Sequence, residues 1–304
     1  MLHNTGIRIQ EPRLSRLGYV YVLLAAGLWA LSGPAAKYLF QGGMSPFDLV
    51  QLRTTISAAM LFVWLVVWKR DLLSIARKDY LYFPLLGITL AAMQFTYLYS
   101  ISRIQVAAAV LLQYQAPAFI AVYAIFINRK RLSIGTLVSL FGAVMGCYLM
   151  VGAYNLNLLH MNRVGIISGL ASAVAFALYS VRSEYGMRTY APWTVFFYAL
   201  VFAAVIWNLL YPPFSAFHAR YGASAWQWIL FIGLFGTVLP FGLYNEGIKR
   251  IHSARASITA TLEPVMAGVI AYGFLGEMME PWQIMGAGLV IASILLLQTT
   301  QDPA

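Results

Sequence analysis

The sequence predicts an all-α integral membrane protein, with ten transmembrane helices arranged as two inverted five-helix repeats. Three observations support this fold class: an apolar composition, apolar runs of about twenty residues, and a spacing that recurs between the two halves. Of the 304 residues, 61% are hydrophobic and only 10% are charged, and the mean hydropathy is +0.73. Soluble domains have about a quarter of their residues charged, so this composition favours a membrane protein.

The apolar runs are long enough to cross a bilayer as helices, because about 20 residues span a hydrocarbon core of about 30 Å. The first run follows three arginines, as a signal peptide would, but it exceeds the usual ~7–15-residue signal core. We therefore interpret it as an uncleaved first helix. The predicted spans are 18–40, 46–68, 80–101, 105–127, 132–152, 163–185, 192–212, 226–249, 254–275 and 281–299.

The distribution of basic residues predicts the orientation in the membrane. The chain has 20 Lys and Arg against 10 Asp and Glu, which gives a formal net charge of +10. These residues cluster in short links between apolar runs, so membrane topology explains the charge and no nucleic-acid partner is predicted. Most of them lie before span 1 or after even-numbered spans, and therefore on one side. The positive-inside rule then predicts that both termini are cytoplasmic.

Matched prolines indicate an internal repeat of five spans. Pro117 and Pro264 lie 147 positions apart (264 − 117), and Pro46 and Pro192 lie 146 apart (192 − 46). Because five is odd, the second repeat enters the membrane inverted relative to the first. Inverted repeats are typical of secondary transporters, whose substrate site lies near the midplane between the repeats. The two predicted repeats, which together form a single transport domain, are residues 1–155 and 156–304.

Span 9 carries the most specific motifs of the sequence. It contains Glu263-Pro264 and ends in Leu-Gly-Glu at 275–277. Together with the ten-span plan, these motifs resemble the second repeat of the EamA family in the drug/metabolite transporter superfamily. The resemblance implies export of small metabolites from the bacterial cytoplasm across the inner membrane. Similar members include amino-acid exporters of the YddG type, and spans 5 and 10 are expected to be peripheral to the cavity.

The first repeat departs from this pattern. Ala116-Pro117 stands where the second repeat has Glu263-Pro264, and Asn-Arg-Lys at 128–130 replaces Leu-Gly-Glu. Glu263 therefore has no carboxylate twin. A charge at this depth costs about 2.5–3.5 kcal/mol on insertion scales, so Glu263 must face a wet cavity, pair with another group or be protonated. It either binds an amino group or carries a proton, or it accepts hydrogen bonds from groups freed at a kink.

Pro117 and Pro264 are predicted to break their helices. Each removes a backbone hydrogen bond to the carbonyl four residues earlier. Matched broken helices in two halves indicate a transport site, although a kink that improves packing is the alternative. Gly142 with Gly146, and Gly165 with Gly169, are spaced for close helix packing rather than binding.

Polar and aromatic side chains in spans 1, 3, 4, 6 and 8 are the further candidates for substrate binding. Tyr99 and Tyr244 correspond roughly between the repeats and are a candidate pair of gate residues, although tyrosines near membrane ends often belong to an interfacial belt. For the glutamines the alternative is an interhelical hydrogen bond of about 0.6 kcal/mol. The seven candidates are Trp29, Gln94, Tyr99, Gln113, Tyr114, Tyr179 and Tyr244.

The remaining charged residues are predicted to lie outside the site. Asp48 and Arg53 enter span 2 from the outer side, where ion pairing at the cavity mouth is expected. No Arg or Lys is expected near the midplane, which disfavours anionic substrates. The chain has no Walker A loop, HExxH or GxSxG motif, and its four histidines and single cysteine, Cys147, lack metal-ligand spacing. We therefore predict no catalytic residue, cofactor, metal or ATP-driven mechanism.

The sequence thus predicts a secondary exporter of amino acids, aromatic ones included, or of similar small zwitterions. Its partners are the small-molecule substrate and the lipid bilayer, and no obligate protein partner is implied. The alternative within transporters is a nucleotide-sugar or sugar-phosphate carrier. An intramembrane enzyme would need more catalytic groups at depth than Glu263 alone, and a structural subunit would need no paired broken helices.

Overall fold

The computed structural model describes residues 16–127, 129, 131–155, 162–275 and 279–300. Regular structure in these ranges is helical, which confirms the predicted fold class. The helices are α1 Arg16–Gln41, α2 Pro46–Trp68, α3 Tyr82–Arg103, α4 Val106–Gln113, α5 Ala116–Phe126, α6 Ile134–Met150, α7 Arg163–Gly186, α8 Pro192–Leu210, α9 Ser215–His218, α10 Ala223–Gly233, α11 Leu239–Ala260, α12 Glu263–Leu275 and α13 Pro281–Thr299.

Short segments complete the helical structure. A π-helical segment, Leu234–Val238, joins α10 to α11, and 3₁₀ turns cover Arg70–Leu73, Arg77–Asp79 and Ala153–Asn155. The Gly-Glu pair at 276–277, residues 128 and 130, and the start of the predicted second repeat at 156 lie outside the described residues.

Eight helical stretches of the described chain are long and apolar enough to cross a membrane, by length and composition. With the shorter α6 and with α12, they account for the ten predicted spans. Between spans 8 and 9 the backbone leaves the helical conformation at His252 (φ 66°, ψ 160°), within the predicted link at residues 250–253. We call the end of the bundle where α1 begins the N-terminal face, and the other end the opposite face.

Helix starts follow the local sequence. Ser45 accepts a hydrogen bond from the Phe47 amide before Pro46 opens α2, and Asn162 accepts one from the Gly165 amide at the start of α7. Such caps satisfy amides that have no partner within the helix. Proline tolerates the first turn for the same reason, since its missing donor would be unpaired there.

Two helices are broken at equivalent places in the two halves. In the first half, residues 114–115 separate α4 from α5; in the second, residues 261–262 separate α11 from α12. The offset between the two breaks is the 147 positions that relate Pro117 to Pro264. Each proline lies in the first turn of the half-helix that follows its break.

Glycines at equivalent positions of the two repeats, which we call twins because they lie 147 residues apart, allow the two halves to pack closely. Gly18 of α1 lies against residues 250–251 of α11, and Gly165 of α7 lies against residues 103–104 at the end of α3. A Cβ added at either glycine would come within 2.7–2.9 Å of its neighbours. Both contacts follow the 147-residue offset, so the two halves pack by one pattern.

Helices α6 and α13 pack mainly on each other. Gly146 approaches the backbone of Gly286 and Val290 so closely that an added Cβ would lie 2.9 Å from each, while Gly142 faces the Ser293 hydroxyl. Small residues permit such close approach of helices in membranes. This pair corresponds to predicted spans 5 and 10.

Candidate functional site

A central cavity lies between the broken helices and their neighbours. Its volume is about 30 Å³, which is room for about two water molecules. In this conformation the cavity is too small for a substrate, so binding requires the cavity to widen. The lining side chains are Trp29, Ser32, Arg53, Met93, Gln94, Tyr97, Gln113, Tyr114, Phe176, Phe241 and Glu263.

A second cavity of about 260 Å³ lies toward the opposite face. It is enclosed by α1, α4, α12 and the ends of α6 and α13 that lie near this face, and its walls are mainly apolar. Glu263 borders both cavities, so it lies where they meet. The other lining residues are Ala30, Gly33, Pro34, Val106, Ala107, Val110, Met150, Val151, Pro264, Ala267, Gly268, Met279 and Gln283.

Glu263 is the first residue of α12 and is buried, with 7% of its surface exposed. The Tyr114 hydroxyl donates a hydrogen bond of 2.6 Å to its Oε2 atom. Tyr114 lies in the break between α4 and α5, so this bond joins the two broken helices. The N-terminal end of α12 also favours a negative charge at this position. Glu263 thus has a hydroxyl partner at the break and also faces the cavities.

Gln94 of α3 lacks the partners that a buried amide normally has. It is 1% exposed, and neither its Nε2 donor nor its Oε1 acceptor bonds to any described residue. Leaving such groups unpaired is costly, so buried polar atoms nearly always have a protein or water partner. Gln94 lines the central cavity, and both of its amide atoms are shielded in this conformation, so a ligand reaches them only when the cavity widens.

Arg53 lies in the central cavity, which corrects the expectation of an ion pair at the outer mouth. It is 4% exposed, its Nε donates to Thr237 Oγ1 at 2.7 Å, and its Nη2 donates to the Gly236 carbonyl at 3.0 Å. Asp48 instead accepts a hydrogen bond from Tyr221 at 2.7 Å. Seven residues of helix separate Arg53 from the start of α2, which places it about 10 Å deeper.

Aromatic rings form the wall of the central cavity toward the N-terminal face. The ring of Trp29 lies 5.1 Å from Phe241 and 6.0 Å from Phe176. Tyr244 packs behind them, 5.3 Å from Phe176, and its hydroxyl lies 3.0 Å from that of Ser180. The same cavity is also lined by polar side chains, which we call the polar wall: Ser32, Arg53, Gln94, Tyr97, Gln113, Tyr114 and Glu263.

The structure brings together some of the predicted site residues and separates others. Trp29, Gln94, Gln113, Tyr114 and Glu263 line the central cavity, and Pro264 lines the second cavity. Pro117 is buried at the start of α5, next to the break.

Three predicted tyrosines lie outside the cavity lining. Tyr179 and Tyr244 are fully buried and hydrogen-bonded, the first to Asn245 at 2.8 Å and the second to Ser180. Tyr99 packs under the Arg103 guanidinium, 5.0 Å from its ring centre, and beside neither cavity.

Sequence reasoning missed Tyr97, which does line the central cavity. The signal was available, because the 147-residue offset pairs Tyr97, not Tyr99, with Tyr244. Arg53 gave no comparable signal, since its depth depends on where α2 begins and on the π-helical segment to which it bonds.

A model of the EamA-like transporter family matches residues 16–152 and again residues 163–299. The chain belongs to the EamA-like transporter family. The two matches agree with the two five-helix repeats, and α1 and α7 begin the two matched regions.

Relatives over nearly the whole length are named as transporters. An uncharacterised transporter of Archaeoglobus fulgidus is 29% identical over 288 residues, covering 93% of this chain and 97% of its own. The uncharacterised inner membrane transporter YicL of Salmonella typhimurium is 28% identical, covering 93% and 95%. The threonine/homoserine exporter RhtA of Escherichia coli is 24% identical over 279 residues, covering 90% and 88%. These names indicate a multi-pass membrane transporter rather than an enzyme.

A solved crystal structure shares the fold of this EamA-family chain. It superposes with a TM-score of 0.72 at 20% sequence identity, covering 92% of this chain and 94% of the other. At this identity the likeness supports the architecture alone.

Proposed function

We propose that this EamA-family transporter exports amino acids, aromatic ones included, or similar small zwitterions across the inner membrane by alternating access. The observation that carries the proposal is the central cavity, which both polar and aromatic side chains line beside two broken helices. An amphipathic solute with a charged head and an apolar side chain matches both walls. The threonine/homoserine activity named for the relative RhtA supports this substrate class.

The unpaired amide of Gln94 supports a polar ligand in this cavity. Broken helices support it too, because non-helical backbone at membrane depth is tolerated where it lines a cavity. Trp29, Phe176 and Phe241 would hold the side chain by ring contacts. Since the cavity in this conformation is smaller than an amino acid, transport requires the two halves to move apart, as in rocking of inverted repeats.

Arg53 favours the alternative function, a sugar-phosphate carrier, because a buried guanidinium binds a phosphate well. Glu263 argues against it, since a phosphate with two negative charges would meet a carboxylate in the same small cavity. A zwitterion places one charge near each group. An amino acid therefore fits the pair better than a phosphate does.

The test is flux in liposomes that contain the purified protein. Labelled threonine, phenylalanine and a hexose phosphate are compared with empty liposomes, and we expect saturable flux of at least one amino acid, at least ten-fold above the empty control. Flux of the hexose phosphate without flux of any amino acid would contradict the proposal.

Glu263→Gln is the matched variant in the same assay. We expect it to reduce amino-acid flux at least ten-fold, because it removes the only carboxylate among the described residues of the cavity lining. Glu246→Gln is the control, since Glu246 forms an ion pair with Arg250 on the same helix, away from the cavity. Undiminished flux by Glu263→Gln across pH would remove Glu263 from transport.

Reporter fusions test the proposed orientation with cytoplasmic termini. A fusion at residue 131, after α5, is expected to report a cytoplasmic position, and one at residue 152, after α6, an external position. The same side for both would contradict the inverted arrangement.

A further inference from the structure

We propose that the central cavity binds an amino acid in one orientation, with the α-carboxylate on Arg53 and the ammonium on Glu263. This rests on the proposed amino-acid transport and adds a requirement: both charged groups must be present on the substrate. Arg53 comes from the first repeat and Glu263 from the second, and both line the cavity.

Arg53 is a buried cation with neutral partners. Its two hydrogen bonds go to a hydroxyl and to a backbone carbonyl, and no described carboxylate lies within ion-pair distance. Its remaining nitrogen, Nη1, makes no hydrogen bond to a described residue. A buried charge without a counter-ion is unfavourable, and a carboxylate is the partner that the guanidinium geometry best matches.

The two hydrogen bonds of Arg53 fix its direction. Thr237 and Gly236 belong to the π-helical segment between α10 and α11, and π-helical turns often occur at functional sites. Held on this segment by Nε and Nη2, the guanidinium has little freedom to turn away. Its third nitrogen, Nη1, therefore remains available to a ligand in the cavity.

Glu263 offers the opposite charge in the same cavity. Only its Oε2 atom accepts a described hydrogen bond, from Tyr114, so Oε1 is available to a donor. Glu263 and Arg53 do not form an ion pair with each other in the described structure. Tyr97 lines the same cavity as both residues. Each charge thus lacks a counter-ion that the opposite end of a zwitterion supplies.

Gln94 is an independent observation that points to the same ligand. Its unpaired Nε2 is a donor for a carboxylate, and its unpaired Oε1 is an acceptor for an ammonium. A side-chain amide with both atoms unpaired in the cavity suits a ligand with both kinds of group. The apolar part of the ligand then points to the wall of Trp29, Phe176 and Phe241.

A competitor panel on wild-type protein tests the orientation without any variant. Against flux of labelled phenylalanine, the competitors are phenylalanine, phenylalaninamide (no carboxylate) and 3-phenylpropionate (no ammonium); for labelled threonine they are threonine, threoninamide and 3-hydroxybutyrate. We expect each incomplete analogue to compete at least ten-fold more weakly than the amino acid. Equal competition by the amide would overturn the role of Arg53, and equal competition by the des-amino acid would overturn that of Glu263.

Variants then assign each requirement to its residue. Arg53→Gln is expected to bring phenylalanine and phenylalaninamide to within about two-fold of each other, whereas a merely structural Arg53 would weaken both equally and leave their ratio unchanged. Glu263→Gln is expected to remove the preference for phenylalanine over 3-phenylpropionate instead. Arg70→Gln is the control, since Arg70 is exposed after α2 and should leave both ratios unchanged.

The outcomes separate this inference from the proposed function. If no amino acid moves in wild-type liposomes, the proposed function fails. If amino acids move but their amides compete equally well, the transport class stands and the orientation on Arg53 is wrong.

Discussion

At positions 147 residues apart, the two halves of this transporter make the same packing contacts but present different side chains to the cavity. Gly18 and Gly165 are twins, and so are the residues they touch, 250–251 and 103–104. The breaks at 114–115 and 261–262 are twins as well. Helix packing and helix breaks are therefore the shared part of the two repeats.

The polar part of the cavity lining differs between the halves. At three pairs of equivalent positions, a polar or charged residue in one half corresponds to an apolar residue in the other. The pairs are Gln94 with Phe241, Ala116 with Glu263 and, at the 146-residue offset of this helix, Arg53 with Ala199. The aromatic lining is shared, since Trp29 and Phe176 are equivalent positions. A substrate with unlike charged ends needs unlike polar groups, and the three pairs provide them.

At one further pair of equivalent positions the two halves carry opposite charges, and each charge hydrogen-bonds to the backbone where two helices join. Lys37 near the end of α1 donates to the carbonyls of Ile101 at 2.8 Å and Ile104 at 3.1 Å, where α3 gives way to α4. Its twin near the end of α7, Glu184, accepts from the Ser253 amide at 2.8 Å, at the kink beside His252. Carbonyls at a helix end favour a cation and amides at a helix start favour an anion.

Removing these charges is the strongest test of the comparison. Lys37→Met leaves two carbonyls without their donor, and Glu184→Gln weakens the acceptor of the Ser253 amide. Hydrogen bonds to charged groups contribute about 1.5–3 kcal/mol, so each variant should lower the free energy of unfolding by about that amount. The measurement is unfolding of detergent-purified protein by heat or denaturant.

Lys69→Met is the control for the charge test, since Lys69 is exposed just after α2 and should leave stability nearly unchanged. If only one of the two twin variants destabilises the protein, the two joints are not equivalent, and the shared part of the repeats is limited to helix packing.

The fold class and the helix breaks were predictable because both depend on local signals. Apolar runs of membrane length and prolines at a fixed offset are visible in one sequence. The break between spans 8 and 9 was predictable in the same way, because polar residues around 249–255 interrupt the apolar run and the backbone leaves the helical conformation at His252.

The site was predictable in composition but not in its contacts. Tyr114 and Glu263 were both candidates, yet their hydrogen bond depends on how two broken helices from different halves meet. Arg53 was misplaced because the sequence shows a cation near the start of a span. It cannot show that a π-helical segment provides its hydrogen-bond partners, which lie 183 and 184 residues later. Such long-range contacts leave no local pattern.

Twin glycines provide the next test, with a smaller expected effect. Gly18→Ala and Gly165→Ala each place a Cβ within 2.7–2.9 Å of a neighbouring side chain, so that the helices must shift. Overpacking of this kind costs typically about 1–3 kcal/mol, and the two variants should match within the error of an unfolding measurement. Gly288→Ala is the control, because nothing lies within 4 Å of a Cβ there. Unequal losses would show that the two halves tolerate the same change differently.

The smallest expected effects concern the twin residues Tyr97 and Tyr244. Removing their hydroxyl groups should show that one contributes to substrate binding and the other to packing. The Tyr244 hydroxyl bonds to Ser180 in the buried interior, so Tyr244→Phe should lower the free energy of unfolding by about 0.5–1.5 kcal/mol and leave substrate affinity unchanged. At the position equivalent to Ser180 the first half has Gly33, so Tyr97 has no such partner and lines the cavity instead. Tyr97→Phe should therefore leave stability unchanged and weaken substrate binding a few-fold, measured as the concentration that half-saturates flux. If the two variants exchanged these outcomes, Tyr244 would contact the substrate and Tyr97 would be the packing residue, which would contradict this assignment.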